Sequence, residues 1–250
     1  MRFQDKVAFI TGGAIGFGRD FARAFAAEGA SIVIADIDRP AADILVDDLV
    51  SNGANALAVT CDVADEDAVQ VAVDESISRF GGIDILVNNA GKHLTRYNYP
   101  FATMERADVR ECFEVNVIGV INCSVSVLET MRQRGSGVIA NISSMAGYTN
   151  YTAYSVSKLA VRGLTIAFAT EYAPHHIRVN AIAPGLMATE NAMSDLPTDL
   201  VDEYVNGHQL IHRLGEMRDI TKAMLYLCSD ESSFVTGETL KVTGGYPLFI

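Results

Sequence analysis

The sequence predicts an α/β protein built on a parallel sheet, and three observations carry that reading. Short aliphatic runs recur along the chain, amphipathic stretches of about 12–20 residues separate them, and a glycine-rich turn follows the first run directly. Most of the runs are apolar almost throughout, as strands covered on both faces are, and their alternation with helices implies right-handed crossovers.

Taken in order, the runs at 7–10, 31–35, 56–60, 83–87, 138–142, 177–182 and 239–242 read as seven strands. We see no internal repeat, low-complexity segment or linker, so 1–250 reads as a single domain. Between Gly185 and Gly215 glycine, proline, asparagine and aspartate interrupt any period. An excursion of this length in a compact domain is expected to be a functional lid, placed at about 186–214.

Composition narrows the function. With 49% hydrophobic and 20% charged residues and 6 prolines, disorder and collagen-like repeats are excluded. Nineteen basic against 31 acidic residues leave a net charge of -12, which repels phosphate backbones, so no nucleic-acid partner is expected. No stretch approaches 18 uninterrupted apolar residues, so no membrane partner is expected, and the N-terminus lacks the pattern of a secretory signal. Cys61, Cys112, Cys123 and Cys228 form no C-x-x-C pair. Reduced thiols, a cytoplasmic location and no metal site are the expectation.

The turn after the first strand carries Thr11, Gly12, Gly13, Ala14, Ile15, Gly16, Phe17 and Gly18, and a helical pattern opens behind it. Glycines at 12, 16 and 18 let the backbone turn sharply and approach a pyrophosphate, while the helix N-terminus offers free N–H groups to the anion. Asp36 ends the second strand, eighteen residues past Gly18, where a carboxylate can hydrogen-bond both hydroxyls of an adenosine ribose and repel a 2′-phosphate. Ile15 and Ile37 flank that position, and Arg19 and Arg39 read as a helix-start residue and a solvated side chain. NAD is therefore expected over NADP.

Joined to Asn88, Asn89, Ala90 and Gly91 after the fourth strand, and to Tyr154, Ser155, Val156, Ser157 and Lys158, this loop resembles that of the short-chain dehydrogenase/reductase family, in its branch of about 250-residue subunits. The resemblance runs end to end. It implies a single Rossmann-type, doubly wound domain with strand order 3-2-1-4-5-6-7 and a Ser-Tyr-Lys centre assisted by an asparagine. Residue by residue it implies that Asp62 and Val63 contact adenine, that Asn89, Ala90 and Gly91 line the ribose path, and that Pro184, Gly185, Met187 and Thr189 hold the carboxamide. Asp62 is also a candidate N-cap for the helix behind it. A homotetramer built from the helices around 103–134 and 152–173 is implied as well, and the apolar tail at 246–250 is expected at a subunit interface.

Tyr154 and Lys158, four apart, share one helix face. An ammonium about 4 Å from the phenol is worth roughly 4 kcal/mol at an effective dielectric of ~20, enough to bring the tyrosinate within reach of neutral pH. Tyr154 would then exchange the proton of an alcohol, Ser144 would hydrogen-bond the substrate oxygen, and Asn116 would anchor a water leading from Lys158 to solvent. Nine residues separate Ser144 from Tyr154, about three fewer than the family pattern, which reshapes a wall of the pocket and makes Ser143 a rival to Ser144. Lys92, His93, Met145, Tyr148, Tyr151, Leu186, Met187 and Met193 are expected to line that pocket. His208 and His212 fall in the lid with no acidic partner evident. The apolar and aromatic lining predicts a small-molecule substrate, a hydrophobic, cyclic or aromatic secondary alcohol and its ketone. A 3-oxoacyl carrier-protein reductase and a non-catalytic NAD-binding regulator stand as alternatives.

Overall fold

The computed structural model describes residues 1–92, 94–97, 99–149, 152–188 and 201–248. Its strands are β1 (Val7–Thr11), β2 (Ser31–Asp36), β3 (Ala56–Thr60), β4 (Ile85–Asn88), β5 (Gly137–Ile142), β6 (Ile177–Pro184) and β7 (Thr239–Val242). They form one parallel sheet in the order β3-β2-β1-β4-β5-β6-β7. The longer helices are α1 (Gly16–Ala27), α2 (Arg39–Ser51), α3 (Glu66–Phe80), α4 (Arg106–Arg134), α5 (Ala153–Tyr172) and α6 (Met217–Cys228).

Alternation along the strands explains the two cores. In β1, Ala8 and Ile10 point toward α1, α2 and α6, where Phe21, Phe25, Leu45, Ile220 and Met224 are buried. Val7 and Phe9 point the other way, toward Val69, Val73, Cys123, Met131 and Phe168 of α3, α4 and α5. Every strand from β1 to β6 is thus covered on both faces, which is why its sequence is apolar without a polar stripe. Although α4 is long and apolar enough by composition to cross a membrane, it lies in this layer with Cys112, Asn116, Val120, Cys123 and Met131 buried.

Helix ends follow local chemistry. Asp38 caps α2 by accepting from the Ala41 N–H, and Asp65 caps α3 by accepting from Asp67 and Ala68. The helix start expected at Asp62 therefore lies three residues later, and Asp62 instead accepts from the Ala64 N–H at 3.0 Å. Thr152 and Ser155 form a capping box that fixes the start of α5 at Ala153, one residue before Tyr154.

The strand expected at 83–87 begins at Ile85 and runs to Asn88. Just before it, the Asp84 carboxylate accepts from the Val7 N–H at 2.9 Å and pairs with Lys6 and Arg134, while its backbone bonds Val7 and Val138 on either side, which anchors the entry to β4. β6 extends two residues beyond the expected end, to Pro184.

Candidate active site

The loops leaving the carboxyl ends of β1, β2, β4, β5 and β6 meet on one edge of the sheet. In the first of them the three glycines do different work. A Cβ on Gly18 would collide with the Gly12 carbonyl, and one on Gly12 would stand 2.9 Å from the Ala90 Cα, so these two glycines let neighbouring segments touch. Gly16 instead faces open space with φ of 55°, as a backbone that must approach a ligand would. α1 begins at this glycine, and Ile15 at the capping position before it gives no side-chain cap. An uncapped helix start, an open glycine, and the exposed Ile15 and Ile37 beside the Asp36 strand end fit a dinucleotide.

Asn89 has a structural role that its motif did not announce. Its amide donates to the carbonyls of Thr11 and Gly12 at 2.9 and 2.8 Å, while the Thr11 hydroxyl accepts from the Asn89 and Ala90 N–H groups at 3.0 Å each. It therefore braces the glycine loop against the end of β4. Asp36 is buried, and its two oxygens accept from the Ala14 and Asp38 N–H groups at 2.9 and 3.0 Å. Those bonds fix the carboxylate at the strand end. Val63 turns its side chain into the core against Gly119 and gives its carbonyl to Asn122, a placement that the motif alone did not reveal.

Beyond β5 the ladder continues for one more step, since Ser143 and Met145 donate their N–H groups to the carbonyls of Ile182 and Pro184. Extended backbone alternates its side chains, so Ser143 and Ser144 part company. Ser143 is buried and its hydroxyl donates to the Lys158 carbonyl at 2.8 Å. Ser144 is close enough to Tyr154 to pull its phenol down, and its hydroxyl accepts from the Ala146 N–H at 3.1 Å. The shortened connection closes as a helical turn at Ala146–Thr149 packed on α5, where the Tyr148 ring centroid lies 3.6 Å from the Arg162 guanidinium and 5.5 Å from Lys241 Nζ.

Lys158 and Tyr154 depart from the expected electrostatics. Lys158 Nζ donates to the Ile142 carbonyl at 2.9 Å and lies 5.9 Å from the centroid of the Tyr154 ring. Burial holds the lysine down at about 8. Desolvation pushes the Tyr154 phenol up to about 12, against the opposing pull of Ser144. The expected depression of the tyrosine by a neighbouring ammonium is thus overturned for the protein's own groups: desolvation outweighs attraction at this separation.

Asn116 lies inside α4, in a π-turn spanning Glu114–Ile118. Such turns insert a residue into the helix and re-aim one side chain, and no residue-type pattern announces them. Here the result brings the Asn116 amide to the other groups. A Cβ built on Gly91 would lie 3.2 Å from Asn116 Oδ1 and 3.3 Å from Lys158 Nζ. The Asn116 Oδ1 accepts from the Lys92 N–H at 2.7 Å, and its Nδ2 donates to Ser157 Oγ at 2.9 Å. The Lys92 ammonium, expected in the pocket, pairs with Glu111 instead.

Among the described residues of the lid, Leu186 accepts from and Ala188 donates to Gly215, and the side chain of Met187 is buried against that glycine. Leu186, Met187, Ile211 and Leu248 share a cavity of about 480 Å³ with Lys222, Lys241 and Thr243. His208 has the acidic partner that sequence reading missed, Glu203 at 3.5 Å, and stacks on Tyr246 at 4.8 Å. His93, Tyr151, Thr189 and Met193 lie outside the described residues.

A family model described as enoyl-(acyl carrier protein) reductase matches residues 12–247. The 7α-hydroxysteroid dehydrogenase of Escherichia coli strain K12 is 39% identical over 248 residues, covering 98% of this chain and 95% of that relative. The chain belongs to the short-chain dehydrogenase/reductase family. Within it, the cis-4-hydroxycyclohexanecarboxylate dehydrogenase of Sinomonas cyclohexanicum is 38% identical, covering 98% of this chain and 97% of the relative. A solved structure of 7α-hydroxysteroid dehydrogenase with NADH and 7-oxoglycochenodeoxycholic acid superposes with a TM-score of 0.92 at 38% identity, over 98% of this chain and 95% of that one. These family members are oxidoreductases acting on secondary alcohols or the matching ketones.

Proposed function

We propose that this short-chain dehydrogenase/reductase interconverts an alicyclic secondary alcohol and its ketone with NAD, through Ser144, Tyr154, Lys158 and Asn116. The observation that carries the proposal is the convergence of Asn116 and Lys158 behind Gly91, with Ser144, at the end of β5, placed where it pulls the Tyr154 phenol down. A bound nicotinamide dinucleotide supplies the hydride chemistry. The chain does the rest. Ser144 donates to the substrate oxygen and steadies the charge that develops there, and Tyr154 holds the proton that this oxygen gains or loses. With its phenol near 12, Tyr154 is a proton donor by default. Proton removal from an alcohol then needs positive charge in the pocket beyond that of the Lys158 ammonium, as an oxidised nicotinamide would bring when bound.

Gly12, Gly16, Phe17 and Gly18 would hold the pyrophosphate, Asp36 the adenosine ribose, and Pro184, Gly185 and Met187 the carboxamide end. Support for NAD over NADP is the buried Asp36 carboxylate, which a 2′-phosphate would have to face. Support for an alicyclic substrate is the pair of relatives named for ring alcohols, a hydroxysteroid and a hydroxycyclohexanecarboxylate. The lid at 186–214 would close over that substrate, the protein working in the cytoplasm as a homotetramer. A panel of steroid, cyclohexanol and polyol substrates assayed by nicotinamide absorbance with NAD and with NADP tests the reading. Turnover of ring alcohols with NAD, abolished by Tyr154→Phe, is the expected result, and activity confined to polyols or undiminished in Tyr154→Phe would refute it.

A further inference from the structure

The Asn116 amide is held at both ends by groups that the proposed chemistry does not use. Its oxygen end is met by a donor that cannot be anything else, the Lys92 N–H at 2.7 Å. Its nitrogen end is met by Ser157 Oγ at 2.9 Å. Ser157 donates its own hydrogen to the Tyr154 carbonyl at 2.7 Å, so toward Asn116 it can only accept. Ser157 and Cys112 have no exposed surface and Asn116 is 1% exposed, which keeps bulk water from replacing the bond. The other acceptor within reach of Nδ2 is the Cys112 sulfur at 3.6 Å, a weak one.

We infer that Ser157 is a positioning residue: its hydroxyl ties the backbone of Tyr154 to the Asn116 amide and orients that amide so that Oδ1 stands beside Gly91 and Lys158. The hydroxyl thereby joins α5, which carries Tyr154 and Lys158, to the π-turn of α4 and, through Lys92, to the loop after β4. Without it Nδ2 is left with a sulfur, the π-turn loses its tie to α5, and the side of the Gly91 cleft that faces Lys158 Nζ is free to shift. A group acting in this way changes turnover more than ground-state binding, because neither substrate nor dinucleotide touches it.

The inference rests on the proposed function, so the test separates the two. Full-length Ser157→Ala, Ser157→Thr and Tyr154→Phe are compared with wild type on the ring alcohol that gives the highest turnover, with circular dichroism and thermal melting as checks on folding. Ser157→Ala is expected to lower kcat at least about tenfold, with KM for alcohol and NAD changed less than about threefold and the rising limb of the kcat–pH profile displaced. Ser157→Thr, which keeps the acceptor oxygen, should recover most of the loss. If Ser157→Ala does not fold, Ser157→Cys, with similar size and a poor acceptor, is held to the same criteria. A folded Ser157→Ala with kcat within twofold of wild type, while Tyr154→Phe is inactive, overturns the inference and leaves the proposed function standing. An active Tyr154→Phe overturns the proposed function itself.

Discussion

Two adjacent serines close β5, and their hydrogen bonds assign them different work. Ser143 serves the Lys158 backbone from a buried position, whereas Ser144 accepts from Ala146 and lies where it pulls the Tyr154 phenol down. Replacing Ser144 by alanine is expected to cut kcat by about 10²–10³, the usual cost of losing one donor to a developing oxyanion, with the melting temperature nearly unchanged. Ser143→Ala should show the reverse emphasis, a lower melting temperature with a smaller kinetic change. Equal kinetic losses in the two variants would contradict the assignment. Lys158 makes a second residue-scale case. Its burial holds it at about 8 against an ordinary 10.5, so at neutral pH the fold keeps a charge in a place that disfavours it. For a base with a lowered pKa the unfolded chain binds more protons between those two values, and stability therefore rises with pH across that window. Chemical denaturation at pH 7 and pH 9.5 should find wild type gaining stability relative to Lys158→Met, a variant expected to be inactive yet at least as stable as wild type at pH 7. A flat difference between the two pH values would count against a buried ammonium.

At the scale of elements, the glycine loop and α4 show how much of the site could be read from residues. Glycine spacing, the Tyr-x-x-x-Lys pair and the apolar strand runs are local patterns, and the turn, the shared helix and seven strands form on them, with the ends of β4 and β6 shifted. The two uses of glycine were not legible. Gly18→Ala meets the Gly12 carbonyl and should destabilise the whole fold, while Gly16→Ala meets no neighbour and should mainly weaken dinucleotide binding, at a backbone cost of about 1 kcal/mol. Titration of NADH fluorescence beside a thermal melt separates the two outcomes. The bracing role of Asn89 and the π-turn at Glu114–Ile118 were equally invisible, since both depend on contacts between segments far apart in the chain. Deleting Val117 should return α4 to regular winding and abolish turnover while leaving helical circular dichroism largely intact; retained turnover would mean that the extra residue does not aim Asn116. The electrostatics of Tyr154 failed for a related reason. Residue spacing places the ammonium on the same helix face but says nothing of the Ile142 carbonyl that claims it.

Across the whole molecule, Val125, Leu159 and Ile166 are exposed on α4 and α5, at 55, 50 and 58%. A monomer gains nothing from bare apolar side chains on two helices, and the proposed homotetramer would cover them. Light scattering should give a tetramer for wild type, and Val125→Glu with Ile166→Glu should reduce it to smaller species; an unchanged mass would place the interface elsewhere. The sheet order also has a consequence for synthesis. β1, β2 and β3 leave the ribosome first and can pair at once, but β1 lies in the middle of the finished sheet. Its second edge has to wait for β4, some seventy residues of chain after β1 ends. A nascent chain of that length carries a bare run of N–H and C=O groups along an apolar strand, the kind of template on which neighbouring chains aggregate. The ordering that puts the glycine loop at the centre of the enzyme thus makes β1 the strand most dependent on chaperone shielding while the protein is being made.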